Sequence, residues 1–171
     1  MAGATREGNS SRNIKRGVAL KRRWRKSGFV SGLFLAPPAP WIAFRQRVTA
    51  ADAVLFVTPE YSRSVPAVLE NALDVGSRPY GASVWNRKPG AVVSSSPGAI
   101  GAFAANHHLK QSLVFLNVPT MQQPEAYVSH VDKLFDEHDK LGSDGTRKFL
   151  QQFMQAFANW IETIRSSSNC N

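Results

Sequence analysis

Cysteine is almost missing from this chain: Cys170, in a polar tail, is the single one. Without a second thiol there is neither an internal disulfide nor a cysteine-built metal cluster, which fits a reducing, cytoplasmic setting. Long apolar runs are lacking as well. None approaches the roughly 20 residues that a membrane span requires, and the longest candidate, residues 28–36, contains a second glycine and runs into Pro37-Pro38. Acidic residues are scarce in the first 48 positions, where Glu7 stands against eleven Lys and Arg. Residues 49–171 hold ten Lys and Arg and eleven acids. The formal charge of +9 therefore belongs to a basic leader ahead of a near-neutral domain. Averaged over the chain, it would argue for nucleic-acid binding for the wrong reason. What remains is ordinary: 171 residues and 43% hydrophobic content suit one globular domain with a respectable core.

From Ala50 onward the pattern is regular. Residues 52–58 read as a strand, and residues 65–75 as a helix with Val65, Val68, Leu69, Ala72 and Leu73 on one face. Pro66 stands near that helix start, where a missing N–H costs little. A second strand is expected over 90–95 and a helix over 99–116. In that helix Ile100, Phe103, His107, Gln111 and Val114 lie near one stripe, with Leu109, Leu113 and Leu116 beside it. Residues 117–121 read as a short third strand, and 122–140 as a mixed, acidic stretch. The last helix should run from Asp144 to about Ile164, with Phe149, Leu150, Phe153, Phe157, Trp160, Ile161 and Ile164 as a core stripe. Strands and helices in short alternation mean βαβ units and a parallel sheet: the class is α/β.

The most informative stretch is Val54-Leu55-Phe56-Val57-Thr58-Pro59-Glu60-Tyr61-Ser62-Arg63-Ser64-Val65-Pro66. An apolar run that stops abruptly before a helix is how a buried parallel strand delivers a loop to the carboxyl edge of an open sheet, where ligands bind. The second strand ends the same way, in Ser94-Ser95-Ser96-Pro97-Gly98-Ala99-Ile100-Gly101. Its glycines permit close backbone approach to a planar ligand, and the following helix offers a positive N-terminus. A glycine-rich turn of this kind is also a common packing device.

The first loop resembles the T-P-E-Y-N-x-S-x-P signature of the NADPH-dependent FMN reductase family, flavodoxin-like enzymes that include quinone, azo-dye and chromate reductases. Leu69-Glu70-Asn71-Ala72-Leu73-Asp74 is similar to the family's L-K-N-A-I-D helix, His108-Leu109-Lys110-Gln111 to H-L-R-Q, and Gln123-Pro124-Glu125 to its N/Q-x-P-E segment. The resemblance covers about residues 44–164. It implies a flavodoxin-like doubly wound parallel sheet, FMN and NAD(P)H as cofactors, a small-molecule electron acceptor such as a quinone or flavin, and a homodimer or homotetramer. It also implies that backbone around Pro59, Glu60, Tyr61 and Ser62, together with Ser95, Ser96 and Gly98, borders the flavin ring. Ser62 stands where the family usually has Asn. No catalytic side chain is implied, because hydride transfer is the cofactor's chemistry.

Other polar residues have plainer readings. His107 and His108 are adjacent and cannot form an i, i+4 metal pair, so surface or capping roles are expected. Glu60 could be offered as an acid or base, yet hydride transfer to flavin requires none. Lys110 and Glu125 match positions that help form subunit contacts in relatives, with a solvated pair as the alternative. The acidic run at 136–139 reads as a solvated loop.

The resemblance breaks at the amino end. Family members open with a strand and a G-S-x-R-x-x-S-x-N phosphate loop. Gly3-Ala4-Thr5-Arg6-Glu7-Gly8-Asn9-Ser10 is an altered version, with Arg6 at the pattern's Arg and Ser10 at its second Ser after a shift of one. Only two residues precede it, whereas a strand needs about five, so the sheet is expected to lack a normal first strand. Residues 54–57 would then lose a neighbour and present an apolar edge. The expected organisation is a basic leader over 1–43, a flavodoxin-like reductase domain over 44–165 and a polar tail over 166–171. For the leader, a truncated or shifted reading frame, a solvated tail, a targeting signal and a nucleic-acid grip all stand open. Nucleic acid is the less favoured partner, and no membrane partner is expected. The alternative to an active reductase is a family remnant that cannot hold FMN and acts at most as an interaction protein.

Overall fold

The computed structural model describes residues 37–138 and 140–168. The elements are α1 (Ala39–Ala50), β1 (Val54–Thr58), α2 (Ala67–Ser77), β2 (Gly90–Ser95), α3 (Phe103–Phe115), β3 (Ala126–Val128), a short 3-10 turn (Val131–Lys133) and α4 (Asp144–Ser168). The three strands form one parallel sheet in the order β1-β2-β3. Thr58 stands opposite Ser94, and Ser94 opposite Tyr127.

Strand β2 is central and buried on both sides, so its alternation sorts the core into two layers. Val92 joins Phe56, Leu73, Trp85, Leu109, Leu113 and Val118 on the face covered by α2 and α3. Ala91 and Val93 join Met121, Ala126, Phe153 and Phe157 on the face covered by α4. Helices on both faces of a parallel sheet make the α/β, doubly wound architecture that the sequence pattern implies. The outer edge of β1 has no strand partner among the described residues, and Val57 is 65% exposed there.

Several elements depart from their sequence reading. Helix α1 lies where no element was expected, because it buries no residue fully and its apolar positions follow no clear stripe. It is held by Phe44 and Val48, four residues apart, against the Trp85 layer. Helix α2 starts at Ala67, with Pro66 as its N-cap, and this phase leaves Val68 83% exposed rather than on the core face. Helix α3 starts at Phe103 and not near Ala99, because Gly101 and Ala102 are both left-handed, at φ 56° and 60°. Its core face is Ala105, Asn106, Leu109 and Leu113. The stripe of Ile100, Phe103 and Val114 is exposed.

The third strand is also displaced. Residues 117–121 touch β2 through one parallel bridge, Gly90 with Thr120. Asn117 is left-handed there and Pro119 has no N–H to give a ladder. The strand forms instead at Ala126–Val128, too short to show alternation in sequence. Most of the expected core stripe of α4 is in place: Phe153 and Phe157 are buried, with Phe149, Trp160 and Ile161 packed beside them, while Leu150 and Ile164 stand outside that cluster, and Trp160 Nε1 donates to Pro119 O at 2.8 Å.

Because the helices run back against the strands, their carbonyl ends gather at the amino edge of the sheet. Cations cap them there. Arg45 Nη1 donates to Gly76 O at 2.8 Å and to Val75 O at 3.2 Å, and its Nη2 to Ala82 O at 2.7 Å. Lys88 Nζ donates to Ala51 O and, at 3.4 Å, to Thr49 O just past and within the last turn of α1. Burial draws the Lys88 ammonium below the ordinary lysine range, and Asp52 partly offsets it.

Trp85 is pinned by Nε1 donating to Leu73 O at 2.9 Å, and its indole lies directly over Gly76. A Cβ at Gly76 would stand 2.3 Å from Trp85 Cε2. Gly76→Ala is therefore expected to lower stability by about 1–3 kcal/mol through overpacking, measured by urea or thermal unfolding.

Candidate active site at the carboxyl edge

Two loops leave neighbouring strands side by side. The first, after Thr58, folds into a tight hairpin. Tyr61 N donates to Ser64 O at 3.0 Å and Ser64 N to Tyr61 O at 2.9 Å. The two residues between, Ser62 and Arg63, have φ of 50° and 62°, the signature of a type I′ turn. This explains the residue that the pattern prefers at 62: Asn enters the left-handed region more readily than Ser. Tyr61 projects from the hairpin, 64% exposed, and Thr58 Oγ1 donates to Pro59 O at 2.8 Å beneath it.

The second loop, 96–102, is fastened from below. Ser96 N donates to Val128 O at 3.0 Å, and His130 N and Val131 N donate back to Gly98 O and Ser96 O. Ser94 Oγ, fully buried, donates to Gly101 O at 2.8 Å and accepts from Asn106 Nδ2 at 3.1 Å. Gly101 is fixed by close approach as well as by its φ, since a Cβ there would stand 2.7 Å from the Tyr127 carbonyl carbon. Ser96 Oγ is spent on Gly98 O at 3.3 Å.

The loops are tied to each other through α3. Ala105 N donates to Glu60 Oε2 at 3.2 Å, while Arg63 Nη1 reaches Glu60 Oε1 at 3.4 Å. His108 Nδ1 and Ser64 Oγ are 3.2 Å apart. The sequence reading offered the α3 N-terminus to a ligand; instead the Glu60 carboxylate takes it. Both histidines have side-chain partners, His107 Nε2 lying 3.0 Å from the Tyr127 hydroxyl.

The residues named from sequence thus fall into two adjacent groups: Pro59, Glu60, Tyr61 and Ser62 on the hairpin, and Ser95, Ser96 and Gly98 on the loop after β2. Arg6 and Ser10 lie outside the described residues. Sequence reasoning placed Ser94 in the second loop and Tyr127 in the 123–127 segment but gave neither a supporting role, and it missed Asn106, which carries no motif of its own. No group of three or more potential metal ligands occurs among the described residues, and no described helix is long and apolar enough to cross a membrane.

A flavin ring presents carbonyl and ring-nitrogen acceptors, so a site for it needs unspent donors. The backbone N–H groups of Glu60, Ser62 and Arg63 in the first loop, and of Gly98, Ala99 and Ile100 in the second, donate to none of the described residues. That donor set fits the edge of an isoalloxazine ring.

A second cluster flanks the loops. Lys110 Nζ donates to Glu125 Oε1 at 2.8 Å, and Phe103, His107 and Tyr127 stack beside it with ring centroids 4.2 to 6.1 Å apart. Burial, then the neighbouring Glu125, pushes the Tyr127 phenol well above the ordinary tyrosine range. Hydrogen bonds from Lys110 and then Tyr127 hold Glu125 below the ordinary carboxylate range.

Residues 26–133 match the NADPH-dependent FMN reductase family. The chain belongs to that family, an oxidoreductase class whose cofactors are FMN and NADPH. It is 59% identical over 131 residues to a quinone reductase of Pseudomonas putida, covering 77% of this chain and 70% of that one. It is 47% identical over 123 residues to a 2-hydroxy-1,4-benzoquinone reductase of a Burkholderia species, covering 72% of this chain and 67% of the relative. Among solved structures, the flavoenzyme NAD(P)H:(acceptor) oxidoreductase FerB of Paracoccus denitrificans superposes with a TM-score of 0.69 at 37% identity, over 83% of this chain and 72% of its own. The flavodoxin-like fold follows from that likeness.

Two outcomes test this geometry. Ser62→Asn is expected to raise stability by about 0.5–1 kcal/mol by easing the left-handed position, read from chemical unfolding. Because the Glu125 pKa is depressed, its contribution to stability is present above the ordinary carboxylate pKa of about 4.3 and is lost as pH falls through the lowered value. Glu125→Gln should therefore flatten the acid limb of a stability–pH curve measured below neutrality.

Proposed function

We propose that this protein is an NAD(P)H-dependent reductase that passes electrons through bound FMN to a quinone, a free flavin or a similar small acceptor. The observation that carries the reading is the pair of amide-bearing loops side by side at the carboxyl edge, in a chain 59% identical to a quinone reductase. Hydride acceptance from the nicotinamide and delivery to the acceptor are chemistry that FMN supplies when bound.

The chain's own task is to hold and orient. The N–H groups of residues 60, 62 and 63 and of residues 98–100 present donors to one rim of the ring, and Pro59 stiffens the approach to the hairpin. Ser95 and Ser96 set the floor of the second loop, and Tyr61 forms a wall or a subunit contact. By the likeness of residues 3–10 to the family's phosphate loop, Arg6 and Ser10 are the candidate contacts to the FMN phosphate. The reductase domain spans about 44–165 behind a basic leader, works in the cytoplasm and assembles as a homodimer or homotetramer.

The decisive experiment titrates the full-length protein with FMN, following flavin fluorescence and particle size, and then adds NADPH and a benzoquinone. Saturable binding followed by bleaching, with colour returning on quinone addition, is expected. A folded protein that leaves FMN fluorescence unchanged would overturn the reading in favour of a remnant without cofactor.

A further inference from the structure

Helix α3 has no cap of its own. It begins after Ala102, a left-handed residue whose side chain carries no acceptor, and no side-chain hydrogen bond caps it locally. Its third residue, Ala105, donates instead to a carboxylate 45 positions earlier in the chain. The Glu60 side chain is only 10% exposed, and its second oxygen faces Arg63, itself 75% exposed. A nearly buried carboxylate with both oxygens engaged, set at the positive end of a helix, is held in one place from two sides.

The bond also has an unusual position. It joins the hairpin to the first turn of α3, the helix that the loop after β2 leads into, and the His108–Ser64 contact joins the same two parts one helical turn further on. Among the described residues the hairpin is otherwise held by its own two backbone bonds, by its continuation from Thr58 at the end of β1 and by Val65, buried in the core. Among the described residues, no other side-chain contact of residues 59–64 ties the hairpin to α3.

We infer that Glu60 is a positioning residue of the FMN site: its carboxylate clamps the 59–64 hairpin to the first turn of α3 and so holds the two sets of backbone donors at one fixed separation. The inference rests on the reading of the carboxyl edge as the FMN site. The clamp acts through a hydrogen bond, so an acceptor oxygen of the right reach is what it needs, and the negative charge is secondary.

Full-length wild type, Glu60→Gln, Glu60→Asp and Glu60→Ala would be compared by hydrogen–deuterium exchange without cofactor and by FMN titration. Gln keeps an acceptor at the same reach and should stay within about threefold of wild type in both readouts. Asp keeps the charge but falls short of Ala105, and should behave like Ala. Both are expected to speed exchange in the hairpin and in residues 103–106 together, by about tenfold, and to weaken FMN binding by a similar factor, as for loss of one hydrogen bond. Gln proving as damaging as Asp would overturn the clamp, and so would exchange rising in one segment alone. Unchanged FMN affinity in a loosened hairpin would overturn its role in the site. Should Ala not fold, Asp against Gln decides. If wild type binds no FMN, the functional reading fails, while the exchange data still decide whether the clamp exists.

Discussion

The parallel pairing of β1 with β2, and of β2 with β3, is the constraint from which the rest of this structure follows. Strands that all point one way must be joined by chain that runs back, and that chain is helical. All strand carboxyl ends therefore meet at one edge, and the carbonyl ends of the returning helices meet at the other. One edge collects unspent N–H groups and the other collects unspent C=O groups. The charged residues sort accordingly. Arg45 and Lys88 serve carbonyls at the amino edge, while Glu60 serves an amide at the carboxyl edge. Basic residues at the amino edge are thus helix caps, and their clustering there needs no anionic ligand to explain it.

At the carboxyl edge the work of the loops is done by backbone. The residues that matter to the site matter for conformation: Ser62 and Arg63 turn the hairpin, Gly101 admits the Tyr127 main chain, and buried Ser94 with Asn106 supports the second loop. This division suits a redox enzyme whose chemistry resides in a cofactor. The protein needs donors in fixed places and an open face, and rigid strand ends meet that need better than mobile side chains. The Glu60 carboxylate fits the same logic as a strut between two such ends.

Much of this was legible in the residues themselves. An apolar β-rich run ending in Thr-Pro-Glu-Tyr marks a strand and the loop it delivers, because the run is apolar throughout and stops abruptly at the proline. The strand 90–95 and the aromatic stripe of α4 were legible because their periodicity is enforced by a core on known sides. Harder to read were the elements whose pattern is set by a neighbour. Helix α1 rests on two residues four apart, β3 is three residues long, and the exposed stripe of α3 is as apolar as its buried one, so composition could not choose between them.

The sequence by itself determined the class of fold, the family and the two loops, since these depend on local order: which residue follows which, and where apolar runs stop. Only the tertiary structure decided what those loops do to each other. That Glu60 caps α3, that Tyr127 requires glycine at 101, and that Val68 faces outward depend on distances between segments far apart in the chain. Such distances arise from packing, and no local pattern of residues records them.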